Sequence, residues 1–186
     1  MKNVLLLTFL ALLVVASGTA FAQGDNTVYF VTYYSNNVTG APDATVRLVN
    51  DGDTSGNLYA AIYVFDDSQE LTECCACVIT PDGLLSESVQ KNLTASPLTS
   101  RVPKVGVIKV ISSASSDPTN TKPTAGLRGW ATHIQKGNGT TYWGSETKLA
   151  DSNLSGAEQS LLQNLCYYDA ALSGKPCTCT AEDTNF

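Results

Sequence analysis

Six cysteines in two clusters constrain this chain more than any other feature. Cys74, Cys75 and Cys77 fall in the run ECCAC at residues 73–77, and Cys166, Cys177 and Cys179 lie near the C-terminus. The neighbours Cys74 and Cys75 could bridge each other only through a strained peptide. On an extended strand Cys75 and Cys77 point to one face, with Cα atoms about 6.5–7 Å apart, at the limit for a disulfide. Pairing within the first cluster is disfavoured, so bridges between the clusters are expected. Each would close a loop of roughly 90–100 residues and stabilise by up to about 4–5 kcal/mol in the chain-entropy model. The alternatives are a thiolate metal site or free redox thiols. C-C-x-C resembles zinc and iron–sulfur ligand runs, but the more specific C-x-x-C spacing is absent and the single histidine, His133, is distant in sequence. No cofactor is expected.

The N-terminus bears on which of these applies. Met1 and Lys2 precede the apolar run VLLLTFLALLVVASGTA, and Ala20-Phe21-Ala22 forms an A-x-A-like cleavage site. Residues 1–22 read as a signal peptide cut after Ala22. The expected location is extracellular or cell-surface, with the periplasm as the alternative, and such compartments oxidise thiols. No cysteine closely follows the apolar run, so no lipid anchor is expected. No later segment is apolar enough to span a membrane. The whole chain carries 11 Lys plus Arg against 17 Asp plus Glu. Removing Lys2 leaves 10 against 17, a net charge of −7. That balance argues against nucleic acid and anionic membrane surfaces as partners.

The remaining chain is long enough for one domain with a real core. Its apolar segments have strand period and strand length. They are Thr27–Tyr34, Ala44–Asn50, Leu58–Phe65, Cys77–Thr80, Leu84–Gln90, Lys104–Ser112, Leu127–Ile134 and Thr140–Leu149. LYAAIYVF within Leu58–Phe65 is apolar on both faces, as a central strand is. The expected fold is mainly all-β, an Ig-like β-sandwich of about seven to eight strands with one C-terminal helix. The helix is signalled by a capping box at Ser155–Glu158, by the stripe Leu161, Leu162, Leu165 and Cys166, and by a stop at Gly174. Three regions follow: residues 1–22 as signal peptide, 23–43 as an N-terminal strand and tether, and 44–186 as the disulfide-stapled sandwich with its helix.

The run GNLYAAIYVFDDSQELTECCACVITPDGLLSESV, then GVIKVISS, LRGWATHIQ and the terminal CTCT, resembles a group of secreted bacterial proteins. They share a signal peptide, the CC-x-C cluster and a terminal C-x-C. The resemblance covers nearly the whole mature chain and implies a shared secreted fold. The group carries no assigned activity, so it implies no catalytic residues.

Candidate sites are few. Asp51, Asp53, Ser55 and Gly56 match the first half of a calcium loop, D-x-D-x-S-G, but the twelfth position is Ile62 where a bidentate Glu belongs. A Gly/Asp-rich hairpin loop explains the same residues. Asp66 and Asp67 read as a solvated turn rather than an acid–base pair. His133 shares a strand face with Leu127, Gly129 and Ala131, which suits a packed histidine better than a general base. G-x-S-x-G is absent. Trp130, Tyr142 and Trp143 form a candidate sugar-stacking platform, with core packing as the bland alternative. Asn37, Asn92, Asn138 and Asn153 open glycosylation sequons that only some hosts read.

The oddest segment is TVYFVTYY at residues 27–34. Val28, Phe30 and Tyr34 line one face, and Tyr29, Val31 and Tyr33 the other, with neither a polar face nor a charge to block edge pairing. The strand belongs either inside its own sandwich or in a neighbouring copy by β-strand addition. Together these features lead us to expect a secreted, non-enzymatic structural or assembly protein, with a fibre subunit joined by strand donation as its sharpest form. Its partners would be itself or cell-surface material. The alternative is an extracellular carbohydrate- or ligand-binding module.

Overall fold

Among the described residues the sequence forms nine strands, and the reason is clearest at Leu58–Asp66, where alternate residues face two different apolar layers. The computed structural model describes residues 26–35, 40–95, 97, 103–173 and 177–180. The expected signal peptide, Gly174, Asn37 and the part of the tether at 36–39 lie outside the described residues. The strands are β1 (Tyr29–Ser35), β2 (Thr45–Asn50), β3 (Leu58–Asp66), β4 (Leu71–Ile79), β5 (Leu84–Ser88), β6 (Val105–Ser113), β7 (Leu127–Lys136), β8 (Tyr142–Lys148) and β9 (Ala150–Ser152). A single π-helical turn, Val89–Leu93, follows β5, and the 18-residue helix α1 spans Gly156–Ser173.

Two antiparallel sheets form an Ig-like sandwich. One runs β4-β3-β6-β1-β9 and the other β5-β2-β7-β8. Between them Phe30, Tyr34, Ile62, Val64, Ile108 and Val110 pack against Val46, Leu48, Leu85, Leu127 and Ala131. Each large side chain removed from water there contributes roughly 1.5–3 kcal/mol. A second, smaller core lies on the opposite face of the five-stranded sheet. There Tyr29, Ala61, Tyr63, Cys74 and Ile111 pack beneath Leu162 and Cys166 of α1. β3 is therefore covered on both sides, which accounts for its unbroken apolar run.

Gly106 shows how closely the strands approach. It sits on β6 opposite both Asp66 and Tyr34. A Cβ there would lie 1.8 Å from the Phe65 carbonyl oxygen. The open space lets the Tyr34 hydroxyl donate to that same oxygen at 3.1 Å.

Several boundaries differ from the sequence reading. β4 begins at Leu71 rather than Cys77, because the buried bridges make Glu73–Cys77 a regular strand despite the polar and cysteine-rich text. β9 is a three-residue strand with no hydrophobic period to betray it. The capping box forms by half. The Ser155 hydroxyl accepts from the Glu158 amide at 3.1 Å, but the Glu158 carboxylate turns to Lys109 and Tyr29. The expected helical stripe is also narrower. Leu162 and Cys166 are buried while Leu161 is half exposed.

Candidate functional site

The two cysteine clusters meet along β4. Successive strand residues point to opposite faces, so the adjacent pair Cys74-Cys75 serves two layers at once. Cys74 faces α1 and bridges Cys166, while Cys75 and Cys77 face the sandwich core and bridge Cys177 and Cys179. Cα separations are 5.7, 5.2 and 5.4 Å, all within the ordinary range. The sulfurs of Cys75, Cys77 and Cys179 lie within 4.8 Å of one another. No cysteine among the described residues is free. The inter-cluster pairing expected from strand geometry is thus what the structure contains. Three disulfides fit an oxidising compartment.

The strap Cys177–Thr180 lies where the edges of the two sheets meet. The Cys177 amide donates to the Cys74 carbonyl at 3.3 Å, the Thr178 amide to the Asn92 carbonyl, and the Thr180 amide and hydroxyl to Oε1 of Glu87. β4 and β5 are edge strands of their sheets, and the bridged strap lies across both, bonded to the Cys74 carbonyl of β4 and the Ser86 carbonyl of β5, which hinders pairing with other chains there. Glu87 is fully buried. Burial pushes its carboxyl above the usual range, and the Thr180 hydrogen bonds oppose that shift.

On the far side, β1 lies between β6 and β9. It pairs with β6 from Tyr29 to Ser35 but with β9 only from Tyr29 to Val31. Phe30 and Tyr34 fill the inter-sheet core. Tyr29 sits beneath α1, and its hydroxyl donates to Glu158 at 2.8 Å. The Lys109 ammonium donates to the same carboxylate at 2.6 Å. Burial would raise the Glu158 pKa, but those two partners outweigh it and hold the carboxyl below its ordinary value. Val28 and Val31 pack at the margin of the outer core. Tyr33 is exposed and stacks on His133 of β7, with ring centroids 4.1 Å apart.

The other candidates divide. His133 is buried, its Nε2 lies 3.0 Å from the Thr147 hydroxyl, and burial lowers its pKa. It is the packed, hydrogen-bonded strand histidine the sequence suggests. Asp51 forms an ion pair with Arg128 at 2.8 Å and accepts from the Asp53 amide, while Asp53 and Ser55 are exposed. A guanidinium thus already sits on the carboxylate that a calcium loop would offer first. Asp66 accepts from the amides of Ser68 and Glu70, holding the β3–β4 turn. Trp130, Tyr142 and Trp143 do not gather. Trp130 pairs with Lys148 and Trp143 with Gln135, five residues apart along β7, so pleat alternation sends them to opposite faces. Trp143 is strongly exposed, with its indole over Gly137. Sequence reasoning missed a groove of about 430 Å³ between α1 and the sheet, lined by Phe65, Val107, Lys109, Leu161 and Leu165. Only the i, i+4 pair Leu161 and Leu165 hinted at it.

The class defined by these features is a disulfide-stapled, Ig-like β-sandwich. No protein-family model matches the chain, and no curated protein matches it. A solved structure, the crystal structure of Thermotoga maritima 1070, matches over 72% of this chain and 99% of that one, at 15% identity and a TM-score of 0.47.

Proposed function

We propose that the protein is a secreted, non-enzymatic building unit whose β1 can be exchanged between copies. One observation carries this reading. β1 is joined to β2 in the other sheet by residues 36–44 alone, and it pairs only with β6 and β9. It can therefore leave as an arm without unmaking the pairing of β2 through β8, and a neighbour's arm can take the identical register. Repeated head to tail, such a contact does not close and gives a filament. Main-chain pairing with β6 would supply affinity, and Phe30 and Tyr34 on one side with Tyr29 on the other would supply specificity. The closed β4–β5 edge suits this role, since growth would then be confined to the arm. The stacked, buried His133 and the Arg128-paired Asp51 leave little catalytic chemistry, which supports a non-enzymatic reading. A second reading, an extracellular ligand-binding module, is favoured only by the exposure of Trp143.

The test is deletion of residues 23–35 followed by addition of a synthetic peptide of residues 26–35. The truncated protein is expected to remain folded as a monomer and to bind the peptide, while the full mature chain forms higher assemblies at high concentration. A full-length protein that stays strictly monomeric, together with a truncation that unfolds, would place β1 permanently in its own sheet and end the exchange reading.

A further inference from the structure

One flank of α1 carries a row of apolar side chains that the fold covers only in part. Leu161, Leu165, Tyr168 and Leu172 follow i, i+4, i+7, i+11 spacing, so they fall within an arc of about 60° on the helix surface. Leu161 is 50%, Tyr168 64% and Leu172 74% exposed, with Leu165 partly covered. This is the alternating 4–3–4 spacing of a coiled-coil seam. It lies about a quarter-turn from the face that Leu162, Cys166 and Asp169 bury against the sheet.

Charge selects the occupant. The chain has a net charge of −6, so copies repel one another through most of their surfaces. α1 is the exception. Its only charged residues are Glu158, engaged by Lys109 and Tyr29, and Asp169, which is buried. The exposed row therefore adds no like-charge repulsion to self-contact. It also lacks the flanking lysines and arginines that seat an amphipathic helix on anionic lipid.

Shape gives the geometry. The C-terminal half of the row projects Tyr168 and Leu172. The N-terminal half borders the groove of about 430 Å³ whose apolar wall is Phe65, Val107, Leu161 and Leu165, with Asp66, Gln69 and Lys109 at its polar side. A projecting end and a receiving end on one helix are self-complementary about a two-fold axis, as an isologous interface requires. We infer that a second copy of this chain docks here, the two α1 helices antiparallel, with Leu161 facing the partner's Leu172 and Leu165 facing the partner's Tyr168. This goes beyond the strand-exchange reading. It leaves residues 29–35 in place, so the two proposals fail separately.

The test uses the oxidised mature protein and sedimentation velocity. Wild type, and equally the protein lacking residues 23–35, is expected to show a reversible monomer–dimer equilibrium at concentrations below those at which strand exchange builds higher assemblies. Leu161→Lys and Leu172→Glu should each weaken it by about tenfold or more, with circular dichroism and the melting temperature of the dilute monomer unchanged, because both side chains are exposed in the monomer. Mixing the two variants should restore dimers. The antiparallel arrangement then sets the introduced lysine of one copy against the introduced glutamate of the other and leaves a Leu–Leu contact at the second position. A wild type that remains monomeric would overturn the proposal. Single variants that associate as well as wild type, or a mixture that stays monomeric, would do so too.

Discussion

Gly106 and Asp169 make opposite kinds of residue-scale demand, one for space and one for a proton. At Gly106 the obstacle is backbone: a methyl group would collide with the Phe65 carbonyl and displace the Tyr34 hydroxyl from it. Gly106→Ala is expected to lower stability by about 2–3 kcal/mol. Thermal melts of the oxidised protein check this, and an unchanged melting temperature would show that β3 and β6 can separate freely. Asp169 is buried beside the Cys74–Cys166 bridge, and burial raises its carboxyl to about 6. Because the folded value exceeds the unfolded one, folding takes up a proton. The stability Asp169 contributes is fully present below about pH 4 and is lost as pH rises through about 6. Glu87 acts in the same sense, whereas Glu158 and His133, both lowered, act in the opposite sense. The comparison must therefore be between wild type and Asp169→Asn. The variant should gain less stability, or lose more, on going from pH 7.5 to 5. Parallel pH curves for the two proteins would refute the assignment.

At the scale of elements, the Cys74–Cys166 bridge and the two strap bridges hold different things. Cys74–Cys166 fixes α1 over Tyr29, Tyr63 and Ile111. Gln159 and Gln163 also tie the helix to Thr121 in the β6–β7 loop. Replacing Cys74 and Cys166 together by serine is expected to cost about 2–5 kcal/mol. Hydrogen exchange should rise across Gly156–Ser173 while β2, β5 and β7 stay protected. Exchange spread evenly over both sheets would contradict the separate roles. These elements also mark what is legible in the sequence. Strong strand segments such as Leu58–Phe65 and Leu127–Ile134 declare themselves, because local pattern and burial agree. β4 does so only in part, since cysteines and Glu73 do not advertise a strand, and it is the bridges that bury them. β9 has no pattern at all and exists because β1 offers it an edge. On α1, periodicity locates an apolar stripe but cannot say which side a sheet will cover, so it assigns Leu161 to the wrong side. The separation of Trp130 from Trp143 needs the β7–β8 register, which sequence spacing does not contain.

For the molecule as a whole, β4 is the spine. One strand carries three bridges, one to the helix layer and two to the strap that closes the β4–β5 edge. The opposite edge, formed by β8 and the short β9, has no such cover among the described residues, and β8 is exposed along most of its length. An acidic sandwich held by three bridges, with a bridged strap along one edge, is suited to oxidising surroundings. A CC-x-C strand that staples both layers by inter-cluster bridges implies a definite disulfide map. It is tested most directly by mapping disulfides in the native protein, using stepwise reduction, alkylation and tandem mass spectrometry. The expected map is Cys74–Cys166, Cys75–Cys177 and Cys77–Cys179 with no free thiol. Bridges within either cluster, or reduced cysteines holding stoichiometric zinc, would contradict it.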